Sequence, residues 1–314
     1  MNKRWKFKLK ELELGPFKFS DEVGKEYDQG ANSEGVYERE IPNLIVAEEV
    51  PGGARKFALF KHYMEVYRYS KWIRETTGEP SHLYEICPYY MKIHFDIDVG
   101  RERVLEYFDS PDKIFEGEFR YHFILKPFLE RILDVFEESF PQDFREEEVF
   151  KNLLVFEAHR EDKISFHVVV DGYYLSCHDC FIFAKKTIEK LNTGAEFAGS
   201  MADFSVYKKN QSFRLMGSNK LDMGRRAIKE IYSGPSLVIR GREFSRQGMI
   251  ESSFGDEPIK QELIVPRIFP RGILSHTLGC HRLSFPTAKA EGPGENLRKY
   301  LLNQFSVPEK EGHS

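Results

Sequence analysis

Lys92-Ile93-His94-Phe95-Asp96-Ile97-Asp98-Val99 is the stretch on which the reading turns. Side chains alternate faces along a strand. Ile93, Phe95, Ile97 and Val99 then share one side and suit a packed core. His94, Asp96 and Asp98 share the other. Two carboxylates two residues apart repel each other unless they are solvated, protonated or bridged by cations. Hard divalent cations prefer oxygen ligands, so Mg²⁺ or Mn²⁺ is the economical answer. The plainer alternative is the exposed face of an amphipathic edge strand.

Two further segments carry chemistry. In Lys163-Ile164-Ser165-Phe166-His167-Val168-Val169 the same alternation puts Lys163, Ser165 and His167 on one face. A cation, a hydroxyl and an imidazole in a row suit a triphosphate. The alternative is a strand with a mixed outer face. Downstream, Asp203 opens a stretch containing Lys208, Lys209, Asn210, Phe213, Arg214, Leu215 and Lys220. Arg and Lys suit phosphate as fork and point charge. A charge run is more often a solvated face. Here Phe213 and Leu215 alternate with Arg214, which predicts that Arg214 projects from an ordered strand.

Composition frames these segments. The chain has 314 residues, 41% hydrophobic and 31% charged, enough for one large domain or two modest lobes. The net charge of -4 argues against a protein that simply coats nucleic acid, and leaves room for an acidic metal site beside a basic groove. Aromatics reach 14%, which suits a packed core and permits base stacking. Four cysteines do not make a disulfide scaffold. Neither a signal-peptide pattern nor a membrane-spanning apolar run is read. An intracellular, reducing setting and no membrane partner are therefore expected.

Along the chain, residues 1–15 read as a basic amphipathic helix: Trp5, Leu9 and Leu12 at helical spacing, with Lys3, Arg4, Lys6 and Lys10 among its cations. Residues 16–43 read as a polar, Gly-containing linker. Strands are expected at Leu44–Val46, His82–Cys87, Lys92–Val99, Leu153–Glu157, Ile164–Val170, Phe213–Met216 and Ser236–Arg240. Helices are expected at Phe60–Thr76, at 118–139, where Phe119, Phe123, Ile132, Leu133 and Phe136 form an apolar stripe, and at Asp179–Leu191. Pro127 lies inside the second of these, so its first half is alternatively a strand. Strands and helices mix without a βαβ rhythm, which indicates an α+β class. The core is placed at 44–290 and a flexible tail at 291–314.

Together, an hhhDhD strand, an S-x-H strand and an aspartate followed by N-x-x-F-R-L with a downstream Lys resemble the motif series of the archaeo-eukaryotic primases. The PrimPol-like branch, which includes eukaryotic PrimPol and primases of large DNA viruses, is the nearest in pattern. The similarity runs from the N-terminal Met-Asn-Lys-Arg-Trp segment to about Lys220 and fades over the last seventy or so residues. The resemblance implies a primase catalytic fold: two α/β lobes, with an RRM-like sheet carrying the metal site. It implies that Asp96, Asp98 and Asp203 bind two catalytic metals, and that Lys163, Ser165, His167, Arg214 and Lys220 hold the incoming NTP or dNTP. It further implies that the basic N-terminal helix lies on template DNA; Lys208 and Lys209 are added as DNA contacts.

The implied function is template-dependent nucleotidyl transfer on single-stranded or primed DNA. A monomer is expected, with a replicative helicase or a zinc-bearing priming module as partner, in a nucleus or at a viral replication site. Relatives that prime carry a zinc module after the core; none is expected within this sequence, which is read either as working with a separate helicase or as a piece of a longer primase-helicase. Cys177, Cys180, Cys280 and His281 are weak candidates for a substitute. The C-x-x-C spacing fits zinc, but without a matched second pair a structural zinc is not expected. Two rival readings remain: a catalytically inactive primase-like DNA-binding subunit, and a metal-dependent nuclease.

Overall fold

The computed structural model describes residues 44–60, 62–105, 115, 117–192, 202–207, 211–221 and 227–285. The predicted helix at 1–15, the linker at 16–43, the tail at 291–314 and Lys208 and Lys209 lie outside them.

A four-stranded antiparallel sheet comes first, in the order β2-β1-β3-β7. Its strands are β1 (Leu44–Val50), β2 (Ala54–Phe60), β3 (Leu83–Ile86) and β7 (Ser212–Arg214). β1 and β2 form a hairpin closed at Gly52 and Gly53, both at positive φ, where a side chain would be strained. The expected helix at Phe60–Thr76 is corrected: Phe60 ends β2, and helix α1 spans Tyr63–Thr77. His62 sets the start, its Nδ1 accepting from the Met64 amide at 3.1 Å, and Gly78 in the left-handed region sets the end. Arg55 and Lys56 obscured β2, although Ala58 and Phe60 are fully buried.

The second sheet is built on two long strands, β4 (Tyr90–Gly100) and β6 (Lys163–Ser176). β6 runs well past the predicted Ile164–Val170. β4 and β5 (Leu153–Glu157) pair antiparallel with the same middle stretch of β6, and so flank it. β8 (Glu230–Ile231) pairs with β5, and β11 (His281–Arg282) adds parallel to the far end of β6. Short helix α2 (Arg101–Leu105) follows β4 directly.

Ile93, Phe95, Ile97 and Val99 are all buried, as the alternation requires. Their face is covered by α3 (Lys126–Ser139) and α5 (Cys177–Asn192), with Phe95 meeting Phe128 at 5.0 Å and Phe183 at 6.0 Å between centroids. Truncating a fully buried Phe such as Phe95 costs about 3–5 kcal/mol.

The segment expected as one helix over 118–139 is helical in both halves but not uniform. Tyr121–Leu125 is a π-turn, and α3 begins at Lys126. Pro127 therefore falls in the first turn of α3, where a missing N–H costs least. Phe119 and Phe123, counted on the apolar stripe, are 46% and 52% exposed and stack on each other instead.

Beyond α4 (Glu146–Lys151), the chain after residue 230 holds more structure than its sequence announced. β9 (Leu237–Ile239) and β10 (Arg242–Phe244) form a hairpin through Arg240 and Gly241, both at positive φ. Helices α6 (Arg246–Phe254) and α7 (Ile264–Arg271) follow. One compact unit runs to Leu283, and a separate unit begins at Ser284. The architecture is mixed α+β. Among the described residues, no helix is long and apolar enough to cross a membrane.

Candidate functional site

The β4–β6 ladder assembles the first two motifs. Its register sets Asp96 opposite His167, Asp98 opposite Ser165 and Gly100 opposite Lys163. Directly opposed residues of an antiparallel pair share a face. Asp96, Asp98, Ser165 and His167 therefore form one tight block. The third acid arrives from the other side. Ala202 bridges to Ile97 on the free edge of β4, and the Asp203 amide donates to the Asp96 carbonyl at 2.9 Å. The Asp203 carboxylate is itself exposed and accepts from the Ser205 amide at 2.8 Å, opening a 3₁₀ turn over Phe204–Tyr207. Tyr207 anchors that turn by donating its hydroxyl to the His94 carbonyl at 2.7 Å.

The polar face of β4 is not the open edge of the plainer reading. Phe213 of β7 stands on it, edge-on to His94 at 5.2 Å and to His167 at 5.1 Å. His94 and His167 are buried, as is Ser165, while Asp96, Asp98 and Lys163 are half-buried. Burial thus packs the first sheet against the second at the point where the motifs meet.

Electrostatics follow from this crowding. Burial, then the charges of Asp98 and Asp203, push the Asp96 carboxyl up to about 7. Lys163 Nζ ion-pairs with Asp98 Oδ2. The mutual repulsion of the two acids is thus relieved partly by a lysine across the ladder, a route that the sequence did not suggest. His167 Nε2 lies 3.7 Å from Asp96 Oδ1. Burial, then Lys229 and Arg214, lower its pKa well below the usual range, so the contact is made by a neutral imidazole and not by an ion pair.

Several buried atoms here have no hydrogen-bond partner: Asp96 Oδ1, Asp98 Oδ1, both ring nitrogens of His167 and Arg214 Nε. Unsatisfied buried groups are costly, and in native proteins they gather where a ligand completes them. Oxygen acceptors of this kind fit a hard divalent cation. As arranged, Asp98 is turned to Lys163 and Asp203 to Ser205. Among the described residues, no group of three or more His, Cys, Asp or Glu side chains is placed to hold a metal ion.

Arg214 ends β7 opposite Tyr84, with one guanidinium nitrogen donating to the Ala227 carbonyl at 2.6 Å. Lys220 is exposed, and partial desolvation, then Arg214 and Lys163, lower its pKa. Among the described residues, the zinc candidates are not gathered into a group of three or more metal-ligating side chains. Cys180 is buried against the carbonyl oxygens of Met91 and Lys92, and Cys280 is directed at backbone carbonyls of its own turn. His281 meets Asp143 at 2.9 Å.

Sequence reasoning missed three residues beneath the site. Lys229 is 1% exposed, and its ammonium donates to the Arg214 carbonyl at 2.8 Å and lies 4.1 Å from the Phe213 ring centroid. Glu85, fully buried, sits opposite Phe213 on the β3–β7 ladder and accepts from the Leu274 and Ser275 amides. His159 Nδ1 accepts from the Ser165 amide at 3.1 Å. Lys229 closes the basic stretch that begins at Lys208 and Glu85 lies in the expected strand His82–Cys87, but neither pattern marks its side chain as buried beneath the site, and His159 follows no periodic pattern.

Comparison of the chain with protein-family models and with curated proteins found no match in either.

Proposed function

We propose that this chain is the catalytic core of a template-dependent DNA primase-polymerase, joining a nucleoside triphosphate to a 3′-hydroxyl on a DNA template. One observation carries the reading: the β4–β6 register sets Asp96 against His167 and Asp98 against Ser165, while Asp203 is hydrogen-bonded to the backbone of Asp96. Three motifs far apart in sequence thus meet at one place, and the resemblance to archaeo-eukaryotic primases assigns those same motifs to one site. The two-lobed primase fold is part of the proposal; its sheets would be β2-β1-β3-β7 and the β4–β6–β5 sheet.

In this reading Asp96, Asp98 and Asp203 hold Mg²⁺ or Mn²⁺, for which the unpartnered oxygens of Asp96 and Asp98 are suitable donors. The bound cations supply charge neutralisation at the attacking 3′-oxygen and the departing pyrophosphate. Lys163, Arg214 and Lys220 supply positive charge to the triphosphate, and Ser165 and His167 supply donors from the floor of the site. Alignment of the triphosphate, not covalent chemistry, is the work of these side chains. Partners in this reading are a DNA template or primer-template, NTP or dNTP, and a helicase or zinc-bearing priming module. The protein would act as a monomer inside the cell, at a nuclear or viral replication site.

The Lys163–Asp98 pair favours a second reading, an inactive primase-like DNA-binding subunit, because it occupies one acid of the set. Incubation with primed template, labelled dNTP and Mn²⁺ separates the alternatives. Primer extension supports the polymerase. A mobility shift without extension supports the binding subunit, and degradation of the DNA a nuclease.

A further inference from the structure

Ser165 lies where β6 leaves its turn from β5, and its backbone is held in an unusual way. Across the turn the Ala158 amide donates to the Ser165 carbonyl at 3.0 Å, and Arg160 and Lys163 exchange bonds at the tip. The Ser165 amide donates instead to a side chain, Nδ1 of His159, at 3.1 Å. An amide can only donate, so Nδ1 must offer a lone pair, and the neutral ring carries its proton on Nε2.

Nε2 faces Glu157 Oε2 at 3.6 Å, beyond hydrogen-bonding distance, and makes no hydrogen bond of its own among the described residues. Glu157 is held in turn by the Tyr121 hydroxyl at 3.3 Å, the Ser233 amide at 3.0 Å and the Ser233 hydroxyl at 3.2 Å. The His159 ring packs edge-on to Phe166 at 4.7 Å. Burial, then the Arg120 charge, lower its pKa to about 3, in keeping with a ring that accepts at Nδ1. Hydrogen bonds thus tie Tyr121 and Ser233 to Glu157, and the Ser165 amide to His159, while Glu157 and His159 only approach each other; Ser165 faces Asp98 across the ladder.

We propose that His159 is a positioning residue, whose imidazole holds the Ser165 backbone so that the Ser165 hydroxyl meets the incoming triphosphate. The inference rests on the nucleotidyl-transfer reading, and His159 itself touches neither substrate nor cation.

Two variants of the full chain test it. His159→Phe keeps a ring against Phe166 and removes the acceptor. His159→Asn gives up the ring and retains an acceptor near the Nδ1 position. In primer extension, His159→Phe should raise KM for dNTP about tenfold with kcat changed by less than about threefold, as for loss of one oriented contact. His159→Asn should recover most of that loss. Exchange of the Ser165 amide with solvent, followed by NMR, should be faster in His159→Phe than in His159→Asn. The reverse order, with His159→Phe normal and His159→Asn impaired, makes the ring a packing element and overturns the proposal. Unchanged KM in both variants, or unfolding of both, overturns it equally. If the unaltered protein extends no primer, the polymerase reading fails and the proposed role falls with it, whereas the exchange rates still report whether His159 holds the amide.

Discussion

The backbone amide of Asp203 and the carbonyl of Asp96 are joined at 2.9 Å, so the loop acid is delivered to β4 by main-chain bonding and not by its own carboxylate. Substitution of either side chain therefore leaves the junction between the two segments in place. Chemistry and folding can be separated at this site.

Asp96→Asn is the sharpest case. The unfolded carboxyl ionises near 3.8 and the folded one near 7, because burial and the charges of Asp98 and Asp203 oppose ionisation. Between those values the folded state holds a proton that the unfolded state has released, so stability falls as pH rises through this window. Asparagine removes the cost. Asp96→Asn should abolish primer extension yet raise stability by up to about 4 kcal/mol near pH 8, with the gain nearly gone near pH 4. Thermal melts at both pH values check it, and a destabilised Asp96→Asn would show that the carboxylate serves the fold.

Lys229 and Glu85 form the second test. Burial lowers the lysine pKa and raises the glutamate's, and each charge partly offsets the other's penalty. The two are not in direct contact, so removal of Lys229 costs its bond to the Arg214 carbonyl and the charge that offsets Glu85, at about 1–3 kcal/mol. Lys229→Met should lose that much in urea unfolding. Lys229→Met with Glu85→Gln should regain part of it. Strict additivity of the two single losses would mean that the residues do not act as a pair.

The sequence announced one half of this site and hid the other. The face shared by Asp96 and Asp98 follows from period-two alternation in β4, and the structure keeps it, with Ile93, Phe95, Ile97 and Val99 buried. The pairing of Lys163 with Asp98 required the β4–β6 register, which neither strand's own pattern contains. Glu85 in its strand and Lys229 in its basic stretch carry no local mark of burial, yet both are interior. Phe119 and Phe123 misled in the opposite sense. They match a helical stripe, but the π-turn ahead of Pro127 shifts the phase and leaves them on the surface.

Gly234 probes the support of Glu157. A Cβ there would stand 2.7 Å from Cδ1 of the Tyr121 ring, well inside normal contact. Tyr121 is itself tied to Glu157 and packed edge-on to Tyr232 at 5.5 Å, so it has little room to retreat. Gly234→Ala should therefore cost about 1–3 kcal/mol by overpacking. A urea midpoint equal to that of the unaltered protein would mean that the ring moves aside freely.

Acid should weaken the fold through His159. Its pKa drops from 6.5 to about 3, with burial the main cause and the Arg120 charge the next. Below 6.5 the unfolded chain takes up a proton that the folded chain refuses, so this contribution is full above 6.5 and is lost as pH falls toward 3. One proton of difference steepens the loss by about 1.4 kcal/mol per pH unit. His159→Phe removes that proton from the balance. Urea unfolding followed between about pH 7 and pH 4 should give a correspondingly shallower decline for His159→Phe than for the unaltered protein. Parallel declines would mean that His159 protonates in the folded state as readily as in the unfolded one, which a ring bound through Nδ1 to the Ser165 amide cannot do.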